Sequence, residues 1–133
     1  MLSQTSRYAL RILGFLAENP GRRIRGEEIA GATGIPSNYL SKILSQLRKQ
    51  GIVNAEKGWG GGFELRADAR STKIRRVLQI FDGVDHAKPS ECVFGLGRCS
   101  ADEPCPLHPY WERIQGALDE MLSATSIQDL GRT

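Results

Sequence analysis

Lys57-Gly58-Trp59-Gly60-Gly61-Gly62-Phe63 is the stretch that most constrains what this chain can become. A helix cannot run through it, because clustered glycines lose too much backbone freedom on ordering. Glycine also brings no side chain to a core, so the run has to lie outside one. Short segments rich in strand-forming residues flank it, at 52–55 and 63–66. The pattern predicts a hairpin with a long glycine-rich tip. It is not a nucleotide-binding loop, since it joins two strands and no Gly-Lys-Ser/Thr follows it.

Upstream the apolar residues recur at helical spacing. Leu10, Leu13 and Ala17, widened by Tyr8, Ile12, Phe15 and Leu16, predict a helix over 3–19 that Asn19-Pro20-Gly21 stops. A short helix over 26–33 starts with Glu27 and Glu28, where carboxylates suit the positive end of the dipole, and ends at Gly34. Pro36 opens a third helix that buries Leu40, Ile43, Leu44 and Leu47 and closes at Gly51. Its outward residues are then Ser37, Asn38, Ser41, Lys42, Ser45 and Lys49. Two helices joined by a glycine-containing turn, the second with a polar outer face, form a helix-turn-helix pattern.

Downstream of the hairpin a fourth helix is expected from Ser71, lined by Ile74, Val77, Leu78 and Phe81 and ended by Gly83. Residues 83–106 show no apolar period and hold every cysteine of the chain. A loop of that length in a small protein carries function or is disordered. From 107 to 125, Leu107, Trp111, Ile114, Leu118 and Met121 repeat at alternating steps of four and three. That is the seam of a helix facing a partner helix, against the alternative of packing on its own domain. The division expected is a winged helix-turn-helix domain over 1–82, a cysteine-bearing loop over 83–106, and a dimerisation helix with a C-terminal turn over 107–133. The fold class is mainly α with a small β-hairpin wing.

Charge separates the two halves. Residues 1–82 hold fourteen Lys/Arg against seven Asp/Glu, a balance of +7, while residues 83–133 hold four against eight, a balance of −4. A basic first half suits a phosphate-binding surface. Alone it equally suits a solvated face. Helix-turn-helix followed by a basic glycine-rich hairpin is a more specific order, and it points to double-stranded DNA. Ser37, Asn38, Tyr39, Ser41 and Lys42 would read or position the duplex, and Lys57, Trp59 and Gly60 would meet it from the hairpin. The competing reading is a protein-interaction adaptor that keeps the fold without binding DNA. No secretory signal or membrane-length apolar run is visible, so a cytoplasmic location without membrane contact is expected.

In the cytosol thiols stay reduced, so the cysteines read as ligands or reactive thiols. Cys92, Cys99, Cys105 and His108 follow C-x6-C-x5-C-x2-H. Three thiolates and an imidazole can hold an iron–sulfur cluster or one tetrahedral metal ion such as zinc. Unligated, reversibly oxidised thiols fit the spacing as well. An enzyme is not expected, because Cys105 and His108 sit in a proline-bounded loop with no evident oxyanion site.

Several of these stretches resemble the IscR/NsrR-type winged-helix transcription regulators, over roughly residues 6–130. The matching signatures are Arg7-Tyr8-Ala9-Leu10, Ile35-Pro36-Ser37-Asn38-Tyr39-Leu40, Leu47-Arg48-Lys49-Gln50-Gly51-Ile52-Val53, the hairpin 57–63, and Cys105-Pro106-Leu107-His108 with Trp111. The resemblance implies a homodimer on a palindromic operator, acting as a repressor or dual regulator. It also implies a 2Fe–2S or 4Fe–4S cluster on Cys92, Cys99 and Cys105, with His108 as the fourth ligand in the manner of the IscR branch. In the NsrR branch an acidic residue of the partner's first helix completes the site, and the corresponding position here is Arg7. Two departures stand out: the first cysteine gap is one residue longer than the IscR pattern, and Trp59 stands where a small residue or proline is common.

Overall fold

The computed structural model describes residues 2–83, 102 and 105–131. Helix α1 (Gln4–Ala17) begins at Ser3, whose hydroxyl oxygen accepts from the Ser6 backbone N–H at 3.1 Å. It buries Ala9, Ile12, Leu13 and Leu16. Helix α2 (Gly26–Thr33) carries the two expected acidic residues in its first turn and ends at Gly34 in the left-handed conformation. Helix α3 (Ser37–Lys49) turns Leu40, Ile43, Leu44 and Leu47 onto α1 and α2 to close a three-helix core.

The hairpin follows as strands β1 (Val53–Glu56) and β2 (Gly62–Leu65), paired antiparallel with Val53 opposite Leu65 and Glu56 opposite Gly62. Each strand ends one residue from the sequence expectation. A third piece of extended chain joins them at Ile24, which exchanges two 2.8 Å backbone hydrogen bonds with Phe63. Nothing in the local sequence announces Ile24 as a strand residue. It is one apolar side chain between arginines, and its pairing depends on the hairpin arriving beside it.

Helix α4 (Ile74–Asp82) starts three residues later than the sequence predicts. The cause is tertiary. Residues 70–73 stay out of the helix because their backbone meets the end of the chain: Ile127 N–H donates to Thr72 C=O at 2.9 Å, and Gln128 N–H to Arg70 C=O at 3.0 Å. Ile74 N–H in turn donates to Thr125 C=O at 3.0 Å. A helix from Ser71 would break this ladder.

Helix α5 (His108–Ala124) lies along α4, where Leu122 and the half-buried Leu118 pack on Ile74 and Leu78. Arg75 of α4 ties the pair by contacting the Asp119 carboxylate, the Asp119 carbonyl at 3.2 Å and the Ser123 hydroxyl at 3.0 Å. The chain then returns to the first core through a 3₁₀ turn, Gln128–Leu130, and Ile127 is fully buried there. Burial of such a side chain is worth about 1.5–3 kcal/mol, which fastens the far end of the chain to the helix-turn-helix body. Among the described residues no helix is long and apolar enough to cross a membrane.

Candidate nucleic-acid interface and cysteine region

The outward face of α3 is built as the sequence spacing requires. With the leucines and Ile43 turned inward, Ser37, Asn38, Ser41, Lys42, Ser45, Arg48 and Lys49 are all exposed. Beside this face lies a groove of about 600 Å³, walled by α3, the start of α2 and the hairpin. Ser41, Ser45 and Arg48 line one side, and Lys57 and Gly58 the other. Arg25 closes one end, its guanidinium donating to the Gly58 carbonyl at 3.0 Å. Hydroxyls and cations therefore meet on one concave surface that Glu27 and Glu56 also line; the cations suit phosphates and the hydroxyls base edges.

Tyr39 is placed differently from its neighbours. Its ring is 46% exposed and meets Tyr8 of α1 edge-on, with centroids 6.0 Å apart. The Arg11 guanidinium lies 5.2 Å from the Tyr8 centroid, and the Gln4 amide donates to the Tyr8 hydroxyl at 3.1 Å. Tyr39 thus anchors the start of α3 on α1 while leaving about half of itself toward solvent.

Inside the hairpin the glycines answer to the hairpin first. A Cβ on Gly61 would press into the Glu56 carbonyl oxygen, and one on Gly62, at φ +137°, would come within 2.6 Å of the Ile24 carbonyl. Their missing side chains are needed to fold the tip back on its own backbone. Trp59 then stands fully exposed at the end.

Not every cation in the basic half serves this surface. Arg22 pairs with Glu28 at 2.8 Å, Arg23 with Glu64 at 3.4 Å, and Arg66 with Asp68 at 3.0 Å. The Arg66 side chain holds the Asp68 carboxyl below its ordinary range. Among the described residues Lys42, Arg48, Lys49 and Lys57 make no ion pair, and they surround the groove or extend the exposed face of α3. Arg25 and Arg48 were not singled out from sequence for this surface. Arg48 reads there as a helix-end charge, and Arg25 has no signal besides its sign.

The seam expected on α5 divides into two faces. Trp111 is 3% exposed and turns inward with Leu118 and Leu122, whereas Leu107, Ile114 and Met121 stand between 39% and 50% exposed. Tyr110 joins the outer row, with the Arg113 guanidinium 5.2 Å from its centroid. An alternation of four and three could not reveal this division, because it places the Leu107–Ile114–Met121 row and the Trp111–Leu118 row on one seam. Ile74 and Leu78 of α4 draw Leu118 and Leu122 to one side.

Of the expected ligands, Cys105 and His108 occupy the turn that opens α5, where His108 N–H donates to the Cys105 carbonyl at 3.0 Å. Cys105 and His108 are both half-buried. Cys92 and Cys99 lie outside the described residues. Among the described residues no three metal-binding side chains come together. The donor chemistry of Cys105 and His108 fits an iron–sulfur cluster, in which a thiolate and an imidazole each bind iron, and it fits zinc equally.

The chain matches the Rrf2 family, described as an iron-dependent transcriptional regulator, over residues 2–133. It is 36% identical to an HTH-type transcriptional regulator of Aquifex aeolicus across 98% of this chain and 90% of that one. It is 31% identical to the HTH-type transcriptional regulator IscR of Vibrio campbellii over 77% of its length, and that match spans 60% of the relative. In three dimensions it resembles CymR, the global cysteine regulator of B. subtilis, with a TM-score of 0.75 and 27% identity over 98% of this chain and 95% of that one. IscR from T. potens shares the fold, with a TM-score of 0.69 at 21% identity over 98% of this chain and 85% of that one.

Proposed function

The chain belongs to the Rrf2 family of transcriptional regulators, and from that premise we propose that it binds a palindromic operator as a homodimer whose affinity follows the state of its cysteine loop. Its relatives are DNA-binding transcription regulators, not enzymes. The observation that carries the DNA half is the groove in which Ser41, Ser45 and Arg48 of α3 face Lys57 and Arg25 across the wing.

In this reading α3 enters a major groove. Ser37, Asn38 and Ser41 reach base edges, Lys42 reaches the backbone, and the exposed part of Tyr39 contacts the duplex beside them. Lys57, Trp59 and Gly60 meet the flanking groove. The exposed row Leu107, Ile114 and Met121 packs against the same row of a second copy, while Trp111 and Leu118 support it from the inner side. Two recognition helices then stand roughly one helical turn of DNA apart, about 34–36 Å. The site of action is the cytoplasm.

Cys92, Cys99, Cys105 and His108 would hold an iron–sulfur cluster. Support comes from the donor set, from the family's description as iron-dependent and from the IscR relatives. When bound, such a cluster supplies a redox-labile tether whose loss frees its thiolates. The chain's own part is to couple that loop to DNA. The loop leaves α4 at Asp82 and re-enters at α5, and the Ser3 hydroxyl that caps α1 donates to the Asp82 carboxylate. A change at the loop therefore acts on α1, α4 and α5, and α1 holds Tyr39 through Tyr8.

The test is anaerobic purification followed by visible absorption with iron and sulfide assays on the same sample. A brown protein with matched iron and sulfide, bleached by Cys99→Ala, supports the cluster. A colourless protein that resists reconstitution moves the cysteines to zinc or thiol chemistry. That second reading is favoured by the likeness to CymR, a cysteine regulator.

A further inference from the structure

We propose that Trp59 is a base-step wedge: its indole enters the minor groove beside each half-site, opens one step, and adds a sequence preference there. The inference rests on the DNA-binding reading above. Four observations carry it.

Trp59 is fully exposed, at 103% of its reference surface, whereas Trp111 is buried at 3%. A side chain this large and apolar gains much from leaving water, and its own fold gives it nothing to pack on. The tip also holds it in place. Gly58 and Gly60 turn through φ of +84° and +70°, and Gly61 N–H donates to the Gly58 carbonyl at 3.0 Å across the turn. From below, the Arg25 guanidinium holds the same carbonyl at 3.0 Å. A braced turn leaves only the indole's own two torsions to be ordered when it enters another molecule.

Width is the third observation. Residues 58, 60, 61 and 62 bring no side chains, so the indole is the one side chain that projects from the tip between Lys57 and Phe63. A minor groove about 6 Å wide excludes most hairpins but admits that profile. Finally, Lys57 precedes the tip and Arg25 stands at its base, so cations flank the aromatic where phosphates would lie. Apolar side chains that enter a minor groove unstack one step and bend the duplex away, most cheaply at flexible pyrimidine–purine steps. Recognition of the major groove by α3 would then be joined by a preference outside the half-site that no hydrogen bond specifies.

The experiment uses the full chain labelled with 5-fluorotryptophan, together with Trp59→Ala and Trp59→Phe. Each protein selects binding sites from a randomised duplex library, and the bound duplexes serve for anisotropy and fluorine spectroscopy. Wild type should enrich pyrimidine–purine steps at a fixed distance outside each half-site, and the Trp59 resonance should shift on binding while that of Trp111 stays. Trp59→Ala should keep the half-site, lose the flanking preference and bind roughly 5- to 150-fold more weakly per half-site, as expected for one lost stacking contact from each protomer. Trp59→Phe should recover part of both. Because Trp59 rests on nothing in its own chain, the variants should melt like wild type.

Unchanged affinity and flanks in Trp59→Ala, with a still Trp59 resonance, would overturn the proposal alone. So would a weakened Trp59→Ala that keeps the flanking preference, since the indole would then touch the groove edge and open no step. If wild type selects no sequence at all, the DNA-binding reading falls and the wedge falls with it.

Discussion

Gly61 and Gly62 show how a single residue type can answer to two demands. From sequence the glycine run reads as the tip of a hairpin that meets DNA, yet Gly61 and Gly62 are already required by their close approach to the Glu56 and Ile24 backbone. Gly62→Ala should therefore destabilise the chain by about 1–3 kcal/mol, the usual range for a side chain forced into such a backbone. It should weaken DNA binding at the same time. Urea denaturation and anisotropy on the same variant check both, and an undisturbed melt would mean that the wing sits differently in solution. Asp129 offers a second test at this scale. The Ser126 backbone N–H, 2.9 Å away, and then the Ser126 hydroxyl hold its carboxyl below the ordinary range. Its folded pKa is the lower one, so its contribution is present above the unfolded value of about 4 and is lost as pH falls through the folded value. The Ser126 amide resonance should report that titration with an inflection below about 4. An inflection at the unfolded value would show that the turn is not closed in solution.

Elements differ in how openly the sequence declares them. α1, α2 and α3 announce themselves because caps, stops and apolar spacing agree, as Ser3, Gly34 and the Leu40–Leu47 stripe show. The start of α4 stays hidden because residues 70–73 find their partners at the far end of the chain, and no local pattern carries that information. The two faces of α5 are hidden for a related reason, since Leu118 and Leu122 find their partners on α4 and not in their own helix. This division gives a paired prediction. Leu122→Ala should cost about 2–5 kcal/mol of stability, as a large-to-small change at a fully buried site. Ile114→Glu, on the exposed row, should leave the secondary structure intact and shift sedimentation toward the monomer. A dimer that survives Ile114→Glu would place the interface elsewhere.

Over the whole molecule, the charge asymmetry was legible in the sequence as a direction but not as a surface. Arg22, Arg23 and Arg66 pair their charge within the chain, while Arg48 and Lys57 remain at the groove and Lys42 on the exposed face of α3. Only folding sorts the two groups: Arg23 meets Glu64 across the hairpin, and even the nearer pairs Arg22–Glu28 and Arg66–Asp68 depend on the turn between their partners. Neutralising Lys42 or Lys57 should each lower the salt slope of DNA binding by about two phosphate contacts per dimer, one from each protomer, with similar losses on every sequence. Neutralising Arg66 should leave that slope unchanged. The cysteine spacing was likewise legible as a donor set, and the structure joins Cys105 and His108 to the turn that opens α5. Regulation requires that the states of this loop differ in DNA affinity, since a ligand that favours neither state shifts nothing. The decisive measurement is an anaerobic anisotropy titration of selected duplexes with cluster-loaded and cluster-free protein at one fixed salt concentration. An affinity ratio of about tenfold or more on at least one duplex is the expected result, equivalent to a coupling of about 1.4 kcal/mol. Equal affinity of the two forms for every duplex would contradict a loop that governs DNA binding.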